Sequence, residues 1–316
     1  MRRRRRTKLQ EKPGPAGFLV VDKPPGVTSH DVVDAARKWL GTRRIGHLGT
    51  LDPQATGVLP LAVREATKLI PFLDQVPGEP VLKSYKGVVR FGIETDTLDA
   101  EGAVTRRYEG ALPSKEEVEA ALEGFRGEIE QIPPMYSAVK KDGVPLHRLA
   151  RKGEEVEREP KKVRIHRLEL ARYEATESEL VVDCSPGTYV RVLASELGAR
   201  LGCGGHLLCL RRLRSGPFDT SHALSAEQLE KEAAEGVIES RLISPADVMG
   251  LPVLTLTDDG VRRVLNGGDV SPGARLRVSP GARVLVVDSN ERLLAITELR
   301  ADRRLWPLRV LAVESR

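Results

Sequence analysis

The chain has 316 residues, enough for a large core and two domains. Its 50 basic and 45 acidic residues leave a formal charge of +5, but the Arg2–Lys8 run alone outweighs that surplus, so global basicity says little about a nucleic-acid partner. No stretch approaches a membrane span, the basic start lacks the apolar core of a secretory signal, and three cysteines without a Cys-x-x-Cys pair exclude a disulfide framework or structural zinc site, so a reducing cytoplasm is expected.

Residues 1–16 read as a basic disordered arm whose Arg2–Arg6 run suits solvation or non-specific phosphate contact. Phe18 to Asp22 is an apolar run, predicted as a strand, that Lys23-Pro24-Pro25-Gly26 ends in a stiff turn. Ser29 is placed as the cap of a helix with Val32, Val33, Ala36 and Leu40 at helical spacing, stopped by Gly41. From Arg43 to Leu61 the chain carries glycines at 46, 49 and 57 and a single carboxylate, Asp52, held extended by Pro53. An apolar run from Val58 to Val63 follows, so this stretch reads as a rigid loop presenting one carboxylate beside a buried strand. The plain alternative is an Asx-turn joining two strands.

Arg64 to Leu73 is predicted helical, with Pro71 able to end it early, and Lys83 to Gly92 alternates as a strand. The acidic loop Glu94–Gly102 lacks calcium-loop spacing, which leaves its carboxylates for turns and caps. Ser114 and Glu117 form a capping box for a helix through Glu123. Lys140 to Lys162 is charged and broken by glycine and proline, a protruding loop with one short helix, Leu146–Arg151. Strands are predicted over Val163–Arg172, Leu180–Cys184 and His206–Arg214, with a helix entered at Gly187-Thr188-Tyr189-Val190-Arg191 and ending at Leu201. Ser225 and Gln228 suggest another capping box. Beyond a boundary at Met249–Pro252, short strands around Ala274–Val278, Ala282–Val287, Leu293–Glu298 and Leu305–Val313 have the rhythm of a small β-barrel. Residues 251–316 hold 11 arginines, no lysine and 8 acids, a surplus suited to bidentate phosphate contacts.

The string Gly46-His47-Leu48-Gly49-Thr50-Leu51-Asp52-Pro53-Gln54-Ala55-Thr56-Gly57-Val58-Leu59 closely resembles the catalytic motif of the TruB family of pseudouridine synthases, departing at Leu48, where a small hydroxyl residue is usual. Asp22-Lys23-Pro24-Pro25-Gly26, the acidic loop and Gln131-Ile132-Pro133-Pro134-Met135-Tyr136-Ser137-Ala138 extend the resemblance. It implies an α/β fold, with a mixed, largely antiparallel sheet flanked by helices, then a small C-terminal β-barrel. It further implies a catalytic domain over 17–249 with an RNA-gripping insertion at 140–162, and a PUA-like RNA-binding domain over 250–316.

The implied activity is isomerisation of uridine to pseudouridine in the TΨC loop of tRNA, at position 55, by a stand-alone monomer that needs no cofactor, metal or guide RNA. Hydrolytic glycosidases usually need two carboxyl groups, whereas this reaction needs only one ionised carboxylate. The sequence leaves open whether that group attacks base or sugar, or assists removal of a sugar proton. The resemblance assigns Asp52 as the catalytic aspartate, Arg191 as the cation that keeps it ionised, and Tyr85 as the ring stacked on the target base. Lys23, His47, Tyr189, Leu210, Arg211 and Arg212 are the implied substrate and RNA contacts, with His47 filling the gap left by an extruded uridine and Arg211, Arg212 and Arg214 at the cleft edge. Two rival readings stand beside this one: a non-catalytic tRNA-folding module, and a guide-dependent relative within a ribonucleoprotein.

Overall fold

The computed structural model describes residues 12–73, 82–137, 139–150, 152–154, 156–273 and 276–311. The Arg2–Arg6 run lies outside the described residues, as do Arg151 and the start of the expected Ala274–Val278 strand. The chain forms two compact units, one from the described parts of Met1–Pro53, Leu59–Glu79 and His222–Arg316, the other from Gln54–Val58 and Pro80–Ser221.

The first unit opens with strand β1 (Gly17–Lys23), helix α1 (Ser29–Trp39), strand β2 (Ile45–His47) and strand β3 (Thr56–Val63), whose first three residues belong to the second unit. Phe18 to Val21 and Leu59, Leu61, Ala62 and Val63 are at most 1% exposed, so β1 and β3 supply the core. Helix α1 forms because Thr28 caps it: the Thr28 hydroxyl accepts from Asp31 N, and the Asp31 carboxylate accepts from Thr28 N. The cap is therefore one residue earlier than the expected Ser29. A cap at Ser29 would put Val32 in the reciprocating position, where it has no acceptor to offer. After β3 the expected helix splits into a 3-10 turn (Arg64–Leu69) and helix α2 (Ile70–Leu73), with Pro71 in the first turn of α2, where its missing N–H costs nothing.

The second unit contains β4 (Lys83–Phe91), β5 (Ile93–Thr95), β6 (Val104–Arg107), α3 (Lys115–Glu123), β7 (Gly127–Gln131), β8 (Lys140–Lys141), β9 (Val144–Pro145) and α4 (Leu146–Ala150). It continues through β10 (Lys161–Tyr173), β11 (Glu177–Cys184), α5 (Val190–Arg200), β12 (Gly205–Ser215) and β13 (Phe218–Asp219). Its sheet runs β12-β4-β11-β10-β7, all antiparallel, and the start of β3 adds a parallel neighbour to β12. The mixed, mainly antiparallel order is the one expected.

The chain then returns to the first unit with β14 (Leu224–Ser225), α6 (Ala226–Ala234) and α7 (Pro245–Met249). β14 pairs in parallel with β1. Ser225 caps α6, but the Gln228 amide bonds forward to Glu232 at 3.4 Å rather than closing a capping box. Strand β15 (Val253–Thr255), helix α8 (Asp258–Leu265) and strands β16 (Arg283–Val287), β17 (Leu293–Leu299) and β18 (Leu305–Val310) follow. They give a four-stranded sheet, β15-β16-β17-β18, over a core of Leu256, Val264, Val284, Val286, Leu294 and Leu305. Among the described residues no helix is long and apolar enough to cross a membrane.

Candidate active site

In the first unit the Asp52 loop is fastened on both sides of the carboxylate. β2 pairs with the end of β3, His47 opposite Leu61, and Leu48 N donates to Pro60 O at 2.9 Å, which fixes where the loop leaves the sheet. The buried Ser29 hydroxyl accepts from Leu51 N at 2.9 Å and donates to Leu51 O at 3.1 Å. On the other side, Pro53 O accepts from Lys23 Nζ at 2.8 Å and from Gly26 N at 3.0 Å. Lys23 is fully buried and also donates to Val27 O at 2.6 Å and Pro24 O at 2.9 Å. A buried ammonium needs such acceptors to offset its lost hydration. Asp52 itself is half-buried. The backbone on both sides of the carboxylate is held by buried groups.

In the second unit, Tyr85 on β4 sits between Val182 on β11 and Arg212 on β12. The Tyr85 ring is buried, and Arg212 is fully buried, its Nε donating to Val58 O at 2.7 Å. Burial pushes the Arg212 guanidinium below its ordinary range, while the charge and hydrogen bond of Tyr85 raise it. Leu210 packs close to Gly87 of β4, and its carbonyl lies 3.4 Å from the Thr56 hydroxyl.

Arg191, one residue into α5, is buried; its Nη1 meets Asp99 Oδ2 at 3.4 Å and its Nη2 donates to Tyr136 O. Asp99 also accepts from the Thr97 hydroxyl at 2.6 Å and from Glu101 N at 3.1 Å, so its carboxylate is anchored before it meets the guanidinium. The Arg191 guanidinium lies 5.9 Å from the centre of the Tyr189 ring. Gln131 grips the Tyr189 backbone at both ends, accepting from its N at 3.0 Å and donating to its O at 3.3 Å. Burial raises the Glu196 carboxyl on the same helix.

The residues singled out from the sequence thus fall into a loop set in the first unit (Lys23, His47, Asp52) and a sheet set in the second (Tyr85, Arg191, Tyr189, Leu210, Arg211, Arg212). Two placements differ from expectation. Arg212, expected at a cleft edge, is inside the protein, because β12 turns it towards Tyr85. Lys23, expected at the substrate, is equally buried and fastens Pro53. Three residues were not assigned from the sequence. The sequence marks Ser29 as a cap, Asp99 as a turn residue, and Gln131 only as part of a motif. A hydroxyl one residue after a better cap was the available signal for Ser29.

Residues 37–190 match the TruB family pseudouridylate synthase N-terminal domain, and residues 191–249 match the tRNA pseudouridylate synthase B C-terminal domain. The chain is 44% identical over 274 residues to tRNA pseudouridine synthase B of Geobacter sulfurreducens, covering 85% of this chain and 88% of that protein. It is 43% identical over 305 residues to the protein of the same name from Stutzerimonas stutzeri, covering 95% and 96%. A solved complex of Cbf5, Nop10 and Gar1 aligns with a TM-score of 0.65 at 24% identity, over 97% of this chain and 92% of that one. An H/ACA RNP bound to a substrate RNA aligns with a TM-score of 0.62 at 22% identity, over 94% and 85%. These two likenesses establish a shared fold, and the closer sequence relatives go further: the chain belongs to the TruB family of pseudouridylate synthases.

Proposed function

We propose that this protein isomerises uridine to pseudouridine in the TΨC loop of tRNA, at position 55, acting in the cytoplasm as a monomer without a guide RNA. The observation that carries the reading is Asp52 within a motif that departs from the family pattern only at Leu48, with its flanking residues Leu51 and Pro53 each held by hydrogen bonds. Relatives named tRNA pseudouridine synthase B, matched over most of the chain, support the substrate class.

The reaction cleaves uracil from its ribose, turns it, and rejoins it through carbon, consuming no water, metal or redox equivalent. Asp52 supplies the one ionised carboxylate, either as nucleophile or as the group that assists proton removal. Arg191 is assigned to keep it ionised, since a guanidinium stays charged and bonds in two directions. Tyr85 stacks on the target base and takes its C5 proton, Leu210 lines the floor, and His47 fills the place of the extruded uridine. Tyr189 and Arg211 contact the RNA, and Lys23 serves by holding the Asp52 loop. The insertion at 140–162 grips the tRNA loop, and its resemblance to stand-alone enzymes favours unguided action. The PUA-like segment 250–316 binds RNA beyond the target arm. Incubating purified protein with one unmodified tRNA transcript and mapping pseudouridine by nucleotide tests the reading. One modified site in the TΨC loop is expected; no product without added guide RNA or protein overturns it.

A further inference from the structure

We propose that Arg212 is a positioning residue for Tyr85, a buried cation that fixes the phenol oxygen and favours its ionised form while the target base gives up its C5 proton. This rests on the function proposed above. Arg212 has no exposed surface, which is costly for a charge without compensation. Two compensations are built in. Its Nε donates to Val58 O at 2.7 Å, and it stands directly across from Tyr85 in the β12–β4 register. The place is tightly made: Gly57 has φ +99°, and a Cβ there would lie 2.2 Å from Arg212 O. Only glycine lets β3 and β12 approach this closely. The cation is therefore tied to the strand that follows the catalytic motif as well as to the tyrosine.

The two groups act on each other. Burial penalises the guanidinium, and Tyr85 partly restores it through its charge and hydrogen bond. By the same interaction the guanidinium stabilises a phenolate that burial alone would oppose. Other titratable groups nearby are Lys83 on β4, Arg211 and Arg214 on β12, and Cys184 on β11, whose thiol burial pushes up to about 11. Helix α5, packed on β4 and β12, adds Arg191 and Glu196. Lys86 on β4 is paired with Glu179 at 3.0 Å, Asp183 on β11 and Asp99 beside Arg191 add carboxylates, and burial holds Glu196 towards its neutral form, so cations outnumber anions around the pair.

The proton count closes. Once the turned uracil is bonded to C1′ through C5, the C5–H bond breaks and its proton goes to the phenolate oxygen. The electron pair forms the C5–C6 double bond, the pair of the C6–N1 double bond left by the C5–C1′ bond moves onto N1, and N1 takes up a proton, so the product is an isomer of the substrate.

The test uses the full chain. Phenolate absorbance is followed against pH in the wild type and in Tyr85→Phe, and their difference isolates Tyr85 from the other tyrosines. Tyr85 is expected to titrate below the ordinary value of about 10. In Arg212→Gln its titration should move up by about one unit. Single-turnover conversion of saturating tRNA at neutral pH should then fall about tenfold, because the phenolate fraction falls tenfold per unit. Half-saturation should change by no more than a few-fold, and raising the pH should recover the rate. Arg212→Lys should lie between the two. Tyr85 titrating at or above about 10 in the wild type overturns the proposal, even if the Arg212 variants do not fold. So does a loss of rate in Arg212→Gln that higher pH does not relieve. If the wild type makes no pseudouridine, the proposed function falls, while the titration still decides the role of Arg212.

Discussion

Asp52→Asn keeps the shape of the side chain and removes its charge, while the hydrogen bonds that hold the loop come from Leu51 and Pro53 and are left intact. Binding of tRNA should stay within a few-fold and product should vanish; turnover above that of contaminating enzyme, measured on a defined transcript, would remove Asp52 from the mechanism. Arg191→Lys tests a different property. The guanidinium serves Asp99 with one nitrogen and Tyr136 O with another, and a lysine ammonium cannot span both. Losing one charge-assisted bond costs about 1.5–3 kcal/mol, so the rate should fall roughly ten- to a hundredfold. Near-normal rates would show that a point charge suffices. At this scale the sequence was legible where a residue sits inside a long motif, as Asp52 does. It was not legible for Arg212, because register shifts between Leu207 and Cys209 and between Arg212 and Arg214 decide which arginine of β12 faces inward. Asp99 was read as a turn residue, which it also is. Its partner lies far along the chain, and only the folded sheet brings α5 to it.

Thr28 and Ser29 are neighbours with separate duties, and paired substitutions can tell them apart. Thr28→Ala removes the cap of α1 and should lower stability by about 1 kcal/mol while leaving turnover near normal. Ser29→Ala strands the buried Leu51 N and O, at a cost of about 1–3 kcal/mol, and should lower turnover more than it weakens tRNA binding. Thermal melts and steady-state kinetics on both variants check this, and equal kinetic losses would deny Ser29 a separate role. Elements with clear boundary signals match nearly to their ends, as with β4, β12, α3 and α5, while β11 begins three residues before the expected Leu180. The C-terminal region was read less well. β15 has three residues, too few for alternation to show, and α8 fully buries only Val264 among its eight. The Leu276–Val278 part of an expected strand makes no ladder, although Leu276 and Val278 pack on the core.

The C-terminal sheet shares a unit with the start of the chain. Lys68 donates to Leu311 O, and the Arg283 guanidinium lies 5.8 Å from the Phe72 ring. Cutting after Gly250 would strip these partners from Lys68 and Phe72, so point substitutions give the cleaner test of RNA binding. Arg300, Arg303 and Arg309 are exposed, Arg300 lying 4.7 Å from the Trp306 ring. If this surface meets phosphates, changing all three to Gln should flatten the slope of log affinity against log salt by roughly 0.7–0.9 for each phosphate no longer neutralised. Conversion at saturating tRNA should be unchanged. An unaltered slope in a folded triple variant would leave the sheet a stabilising appendage. The sequence signals a boundary near Met249, and the fold adds that residues 222–316 group with the first part of the chain, which linear order does not record.

The return of the chain to its first unit also sets an order of assembly during synthesis. β1 is an almost wholly buried apolar strand, yet two of its partners, β14 and Ile243, are made long after it: Phe18 and Ile243 exchange both backbone bonds, at 2.9 and 2.8 Å. Until the ribosome has passed Ser225 that edge has nothing to pair with, and Phe18 waits longer still, for Ile243. The second unit, nearly continuous in sequence, has no such wait. Nascent chains halted far enough past Ser221 for β12 to have left the ribosome should already protect β4, β11 and β12 from protease, while β1 stays cleavable until Ile243 has emerged as well. An exposed apolar strand of this kind is what a ribosome-bound chaperone engages, so the emerging amino-terminal part should depend on one more than the finished protein does.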